Sequence, residues 1–132
     1  MTVHVQWENS RQTAIRVTFD PQWRWQDYDA SVDEVRQMLR SVDHTVDIIS
    51  DIRTSTPQTQ GLAWNHFRRT FSDIPHNIGM VVIAGRGHFT ASIFSLVVQS
   101  DPRLVRRTRF VSTIAEAHSV LRQHANPLHT LN

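Results

Sequence analysis

The seven residues Ile78-Gly79-Met80-Val81-Val82-Ile83-Ala84 form the most apolar stretch of the chain, with no alternation between apolar and polar positions. A run this short falls well below the roughly 18 residues that span a bilayer, and below the length of a buried helix. It is predicted to be a central strand covered on both faces. A strand of that kind requires helices packed on the sheet, so it points to an α/β architecture.

The remaining periodicities supply those helices. VHVQWE (residues 3–8) and TAIRVTF (13–19) are β-branched or alternating runs separated by Asn9-Ser10-Arg11-Gln12, which predicts an antiparallel hairpin closed by Pro21. From Trp25 the apolar residues Trp25, Tyr28, Val32, Val35, Leu39 and Val42 recur three or four apart, the stripe of a first helix. VDIISDI (46–52) is too short for a helix and reads as a buried strand. A second helix is expected near Gln60, with Trp64, Phe67, Phe71 and Ile74 inward and Pro75 blocking its continuation.

Gly85-Arg86-Gly87 leads into a third helix, from about Phe89 to Gln99, ended by Asp101-Pro102. Its stretch FTASIFSLVVQS is apolar around most of its circumference, which suits burial or the covering of a partner or an apolar ligand. RFVST (109–113) is the last strand, and Ile114, Ala117, Leu121 and Ala125 stripe the final helix. The order ββαβαβαβα predicts a mixed, mostly parallel sheet with an N-terminal hairpin and right-handed crossovers. One domain is expected over residues 1–126, with a frayed tail at 127–132.

Composition closes off several function classes. There is no cysteine, which removes disulfides and thiolate zinc sites. MTVHVQWENS lacks the basic and apolar regions of a signal peptide, so a soluble cytoplasmic protein without membrane insertion is expected. The sequence pI near 10.4 overstates the basicity, because the net charge is only +2 and every basic residue is arginine. Arg68-Arg69 and the run Arg103, Arg106, Arg107, Arg109 make two short clusters, not the continuous basic face with stacking aromatics that nucleic acid requires. The eight histidines are scattered without HExxH or HxH spacing, so neither a metal nor a cofactor is expected.

Candidate site residues gather at predicted strand ends, where ligands collect in open α/β sheets. Asp51 and Arg53 could form a carboxylate base and anion clamp, or simply pair with each other. Thr54 stands in the loop that follows. Arg86 and His88, in the turn after the apolar strand, could bind an anion with free amides, although Gly85-x-Gly87 alone is a weak dinucleotide signal. Thr59 lies where a hydroxyl caps a helix start or accepts a phosphate. No Gly-x-Ser-x-Gly elbow occurs, and no catalytic residue is assigned: the chain is not expected to be an enzyme. Trp23 falls on no predicted core stripe.

The element order, WRWQDYDASVDEV before and within the first helix, DIISDIR, the Gly61-Leu62 opening of the second helix, NIGMVVIAG and RFVSTIAEAHSVL together resemble bacterial STAS domains of the SpoIIAA-like anti-anti-sigma type. The resemblance spans nearly the whole chain. It implies a regulatory or protein-interaction module whose partner is another protein, or a second copy in a homodimer. In signalling members an Asp-Ser-Ser-Gly-Leu motif carries the phosphoserine; here the matching residues are Gln58-Thr59-Gln60-Gly61-Leu62, placing Thr59 at that serine and Gln58 at the acid. The rival expectation is a carrier or sensor of a small apolar or anionic ligand, held between the third helix and the strand-end loops.

Overall fold

The structure of the chain, a computed structural model, describes residues 2–55, 70, 74–86, 95, 98–99 and 102–124. Among the described residues there are five strands: β1 (Val3–Trp7), β2 (Ala14–Phe19), β3 (Val46–Asp51), β4 (Ile78–Ala84) and β5 (Thr108–Val111). The helices with described bounds are α1 (Trp25–Arg40), α2 (Pro102–Arg107) and α3 (Ile114–His124), and Thr70, Ser95, Val98 and Gln99 are also helical. The strands form one sheet in the order β1-β2-β3-β4-β5. The first pair is antiparallel and the others are parallel. The α/β class and the hairpin therefore agree with expectation. The expected second helix lies mostly outside the described residues, as do most of the third helix and the tail at 127–132.

The hairpin turn is closed by a side chain. Asn9 Oδ1 accepts the Thr13 N–H at 3.0 Å, and Asn9 Nδ2 donates to Thr13 Oγ1 at 2.7 Å. Gln12 adopts a φ of 58°, the left-handed turn the reversal requires.

Helix α1 begins without a side-chain cap from Arg24, its N-cap residue. Thr2 takes over that task across the sheet edge. Its hydroxyl accepts the Arg24 N–H at 3.0 Å and donates to Asp27 at 2.6 Å, while its own N–H reaches the same carboxylate at 2.9 Å. The arrangement relays one half of a capping box, the link from the Asp27 carboxylate to the N-cap N–H, through the Thr2 hydroxyl. At the other end, Asn77 Nδ2 donates to the Leu39 carbonyl, one of the orphan acceptors of a helix terminus, and to the His44 carbonyl.

Side-chain alternation divides the sheet into two faces. Ile15, Val17, Phe19, Ile48 and Ile83 belong to the large core that α1 covers, with Leu104 of α2. On the opposite face a smaller cluster of Ile49, Val82 and Ala117 packs with Met80, Val111 and Leu121 beneath α3. Strand β4 contributes to both clusters, as the unbroken apolar run predicts.

Two elements depart from the sequence reading. Trp23, expected off the core, is fully buried; its ring meets Phe19 edge-on at 5.2 Å and Trp25 at 4.6 Å, so tertiary stacking internalises a residue that no local stripe includes. Pro102 was expected to terminate structure, whereas it opens α2, because proline is pre-organised for the first helical position and its missing N–H costs nothing there.

Candidate functional site

At the carboxyl end of β3, Asp51 is only 6% exposed. Arg53 Nε donates to its Oδ1 at 2.9 Å, Arg53 Nη2 to its Oδ2 at 3.0 Å, and the Arg53 backbone N–H to Oδ1 at 3.2 Å. Burial pushes the carboxyl upward in pKa. The hydrogen bonds and charge of Arg53, with the field of Arg16, outweigh that and hold it below the ordinary carboxylate value. A carboxylate held this way is a poor general base, because its proton affinity is lowered and its lone pairs are engaged.

The turn after β4 lies directly over this loop. A Cβ on Gly85 would come within 2.5 Å of Ile52 Cγ1, so the close approach of the two strand ends explains that glycine. Ile52 N donates to the Ala84 carbonyl and Gly85 N to the Val111 carbonyl, carrying the parallel ladder past the strand ends. Arg86 and Thr54 are exposed on these turns. The guanidinium on Asp51 is that of Arg53. Thr59, Gly61 and His88 lie outside the described residues.

A second polar group occupies the same face, over the hairpin. Glu8 accepts two bonds from the Arg16 guanidinium, the Nη2 contact at 2.8 Å, and its Oε1 lies 3.4 Å from His118 Nε2 of α3. Nearby, His4 Nε2 lies 3.0 Å from Asp20 Oδ1. Sequence reasoning left this group unassigned, since His118 and Glu8 are far apart in the chain. The alternation of β2, which puts Arg16 on the face opposite Val17, was the available signal.

At the other end of β3, Asp47 Oδ1 accepts the Met80 N–H at 2.7 Å, where the β3–β4 register shifts between Val46 and Ile48. Burial raises this carboxyl's pKa, against the Met80 bond and the nearby His124. Gly79 leaves room for it: a Cβ there would meet Asp47 Oδ1 at 2.4 Å and displace the carboxylate from the Met80 N–H.

Under α1, on the other side of the sheet, there is a cavity of about 160 Å³. Its described walls include Phe19, Tyr28, Val32, Ile48 and Ile83, together with Ser50 and Ile52 but not Asp51. Strand alternation therefore separates the carboxylate from the cavity. Among the described residues no group of three or more His, Asp or Glu is placed to hold a metal, and no helix is long and apolar enough to cross a membrane. No family model, no curated protein and no solved structure matches the chain.

Proposed function

We propose that the chain is a non-enzymatic, STAS-like regulatory module that binds another protein, a second copy of itself included. The observation that carries this reading is the surface over β1 and β2. Helix α3 packs on β3, β4 and β5, and beyond it His4 and Gln6 are exposed while Glu8, Arg16, Thr18 and Asp20 are half-buried. The charged groups on this surface are already paired within the chain, Glu8 with Arg16 and Asp20 with His4, so a partner docking there need not strand isolated buried charges. The engagement of Asp51 by Arg53 supports the same reading by removing the best candidate for a base.

A photo-crosslinking residue at Gln6 tests it. The expected product is one discrete species, at twice the mass of the chain or at its mass plus that of one cellular partner. Folded, soluble protein that crosslinks to nothing from Gln6 would defeat the proposal. The cavity under α1 supports a second reading, a carrier or sensor of a small ligand.

A further inference from the structure

We propose that two copies of the chain join along β1, antiparallel about a twofold axis at Gln6, so that their sheets become one. The assignment rests on the protein-binding reading and deepens it by naming the partner and the register. The edge of the sheet carries it. Strand β1 is outermost and pairs on one side only, with β2. The Asp20 N–H donates to the Thr2 carbonyl at 2.9 Å and the Glu8 N–H to the Ala14 carbonyl at 2.8 Å, so the even-numbered residues bond β2. Because an antiparallel ladder alternates, Val3, Val5 and Trp7 turn their backbone groups outward. Among the described residues, no group bonds the N–H or carbonyl of Val5 or Trp7.

The two edges of the sheet differ. At the far edge β5 has four residues and carries Arg109, and both short length and charge blunt an edge. Strand β1 has no lysine, arginine or proline, and its pairing with β2 runs unbroken from Val3 to Trp7. One end of it is closed: the start of α1 is bonded to Thr2 through the Arg24 N–H, and Val3 is fully buried. The open stretch therefore runs from His4 to Glu8, and its midpoint is Gln6.

A twofold axis at that midpoint makes the stretch its own complement. Val5 of each copy lies opposite Trp7 of the other in a hydrogen-bonded pair, which gives four backbone bonds about the axis. Both residues are half-buried on the α1 face, where an aromatic ring opposite a β-branched side chain is a favourable cross-strand pair. On the other face His4 of each copy lies opposite Glu8 of the other. Each is already bonded within its own chain, His4 to Asp20 and Glu8 to Arg16, so the seam strands no charge and sets no like charges opposite each other. An axis at Val5 would instead set Trp7 opposite the buried Val3.

The chain has no cysteine, so Gln6→Cys supplies a single thiol at the axis. Facing residues of a non-hydrogen-bonded pair have Cα atoms about 4.5 Å apart, within the span of a disulfide. Under mild oxidation Gln6→Cys is expected to give a covalent dimer of twice 15.3 kDa. His4→Cys should not, because four residues of offset leave its two copies about 14 Å apart. Sedimentation equilibrium of the unaltered chain at about 100 μM, which detects micromolar association, should give the dimer mass. Gln6→Lys, at an exposed position, sets like charges opposite each other at the axis and should give a monomer with unchanged far-ultraviolet dichroism. A dimer that survives Gln6→Lys, or that Gln6→Cys fails to cross-link, would sink the β1 register while leaving the protein-binding reading standing. A folded monomer of the unaltered chain at that concentration would remove self-pairing, and the protein-binding reading would then stand only on a crosslink from Gln6 to a different protein.

Discussion

The two faces of the sheet are held by different physics. Under α1 the contacts are apolar and aromatic: Trp23 is fully buried among Phe19, Trp25 and Tyr28, and Leu39 and Val46 complete a continuous core. Under α3 the apolar cluster is small among the described residues and is flanked by carboxylates, Asp47 at one end of β3 and Asp51 at the other, with Glu8 on the neighbouring hairpin. Among the described residues the contrast predicts that α1 anchors the fold and that the α3 face tolerates changes of charge at smaller cost. Burial energy scales with area, whereas the value of a charge depends on its partner.

The largest test of that contrast is Trp23→Ala. Removing a fully buried indole should cost about 3 to 5 kcal/mol, read from the shift of the denaturant midpoint. A loss below about 1 kcal/mol would show that the aromatic cluster collapses freely and does not anchor α1.

The two aspartates of β3 should respond to the same substitution with opposite signs. Asp51→Asn should destabilise by about 1 to 2 kcal/mol near pH 7, because a charged acceptor of three bonds becomes a neutral one. Asp51 has a lowered folded-state pKa, so its contribution is present above its unfolded value of about 4 and is lost as the pH falls through the folded value. The deficit of the variant should therefore shrink in acid. Urea unfolding at several pH values would show it.

Asp47→Asn should be neutral or stabilising at pH 7, since the amide oxygen can still accept the Met80 N–H and no half-buried charge remains. Its raised folded-state pKa means that the folded protein binds the proton more tightly. The stability of the unmodified chain should then rise as pH falls through that folded value, and the Asn variant should lack this rise. If Asp47→Asn is destabilised at pH 7 as much as Asp51→Asn, the two ends of β3 are not electrostatically different.

A small loss is expected for Glu8→Gln, which weakens a half-buried pair with Arg16. It should cost about 1 kcal/mol or less, with the difference narrowing in high salt. Thermal melts at low and high ionic strength would check it, and a salt-independent loss would point to packing in place of charge.

Much of the frame was legible in the sequence because its signals are local. The bounds of β4 match the apolar run residue for residue, and α1 starts at the Trp25 that begins the stripe. What was missed depends on distance along the chain. Trp23 is buried by rings on β2 and α1, and the partner of Asp47 is 33 residues away. Gly79, inside a strand, was a legible hint of a close approach there. Helix α2 has six residues, too few for a periodic stripe to emerge, and its proline reads equally as a stop or a start. Thr113 and Glu116 were readable as a capping box: the Thr113 hydroxyl accepts the Glu116 N–H at 3.1 Å. At the candidate site, the pairing of Asp51 with Arg53 was foreseen as one alternative because the two are neighbours in sequence. The Glu8–Arg16–His118 group was not, because it needs the sheet to assemble first.

The order β1-β2-β3-β4-β5 also governs how the molecule can be made. Each strand pairs with the one synthesised just before it, so no early segment has to wait beside a gap for a distant partner. During synthesis the hairpin can form first, and each later strand can add to the single edge most recently exposed, keeping loop-closure entropy low at every step. The growing sheet then has one moving aggregation-prone edge, and its closing strand is the four-residue β5, the shortest of the five.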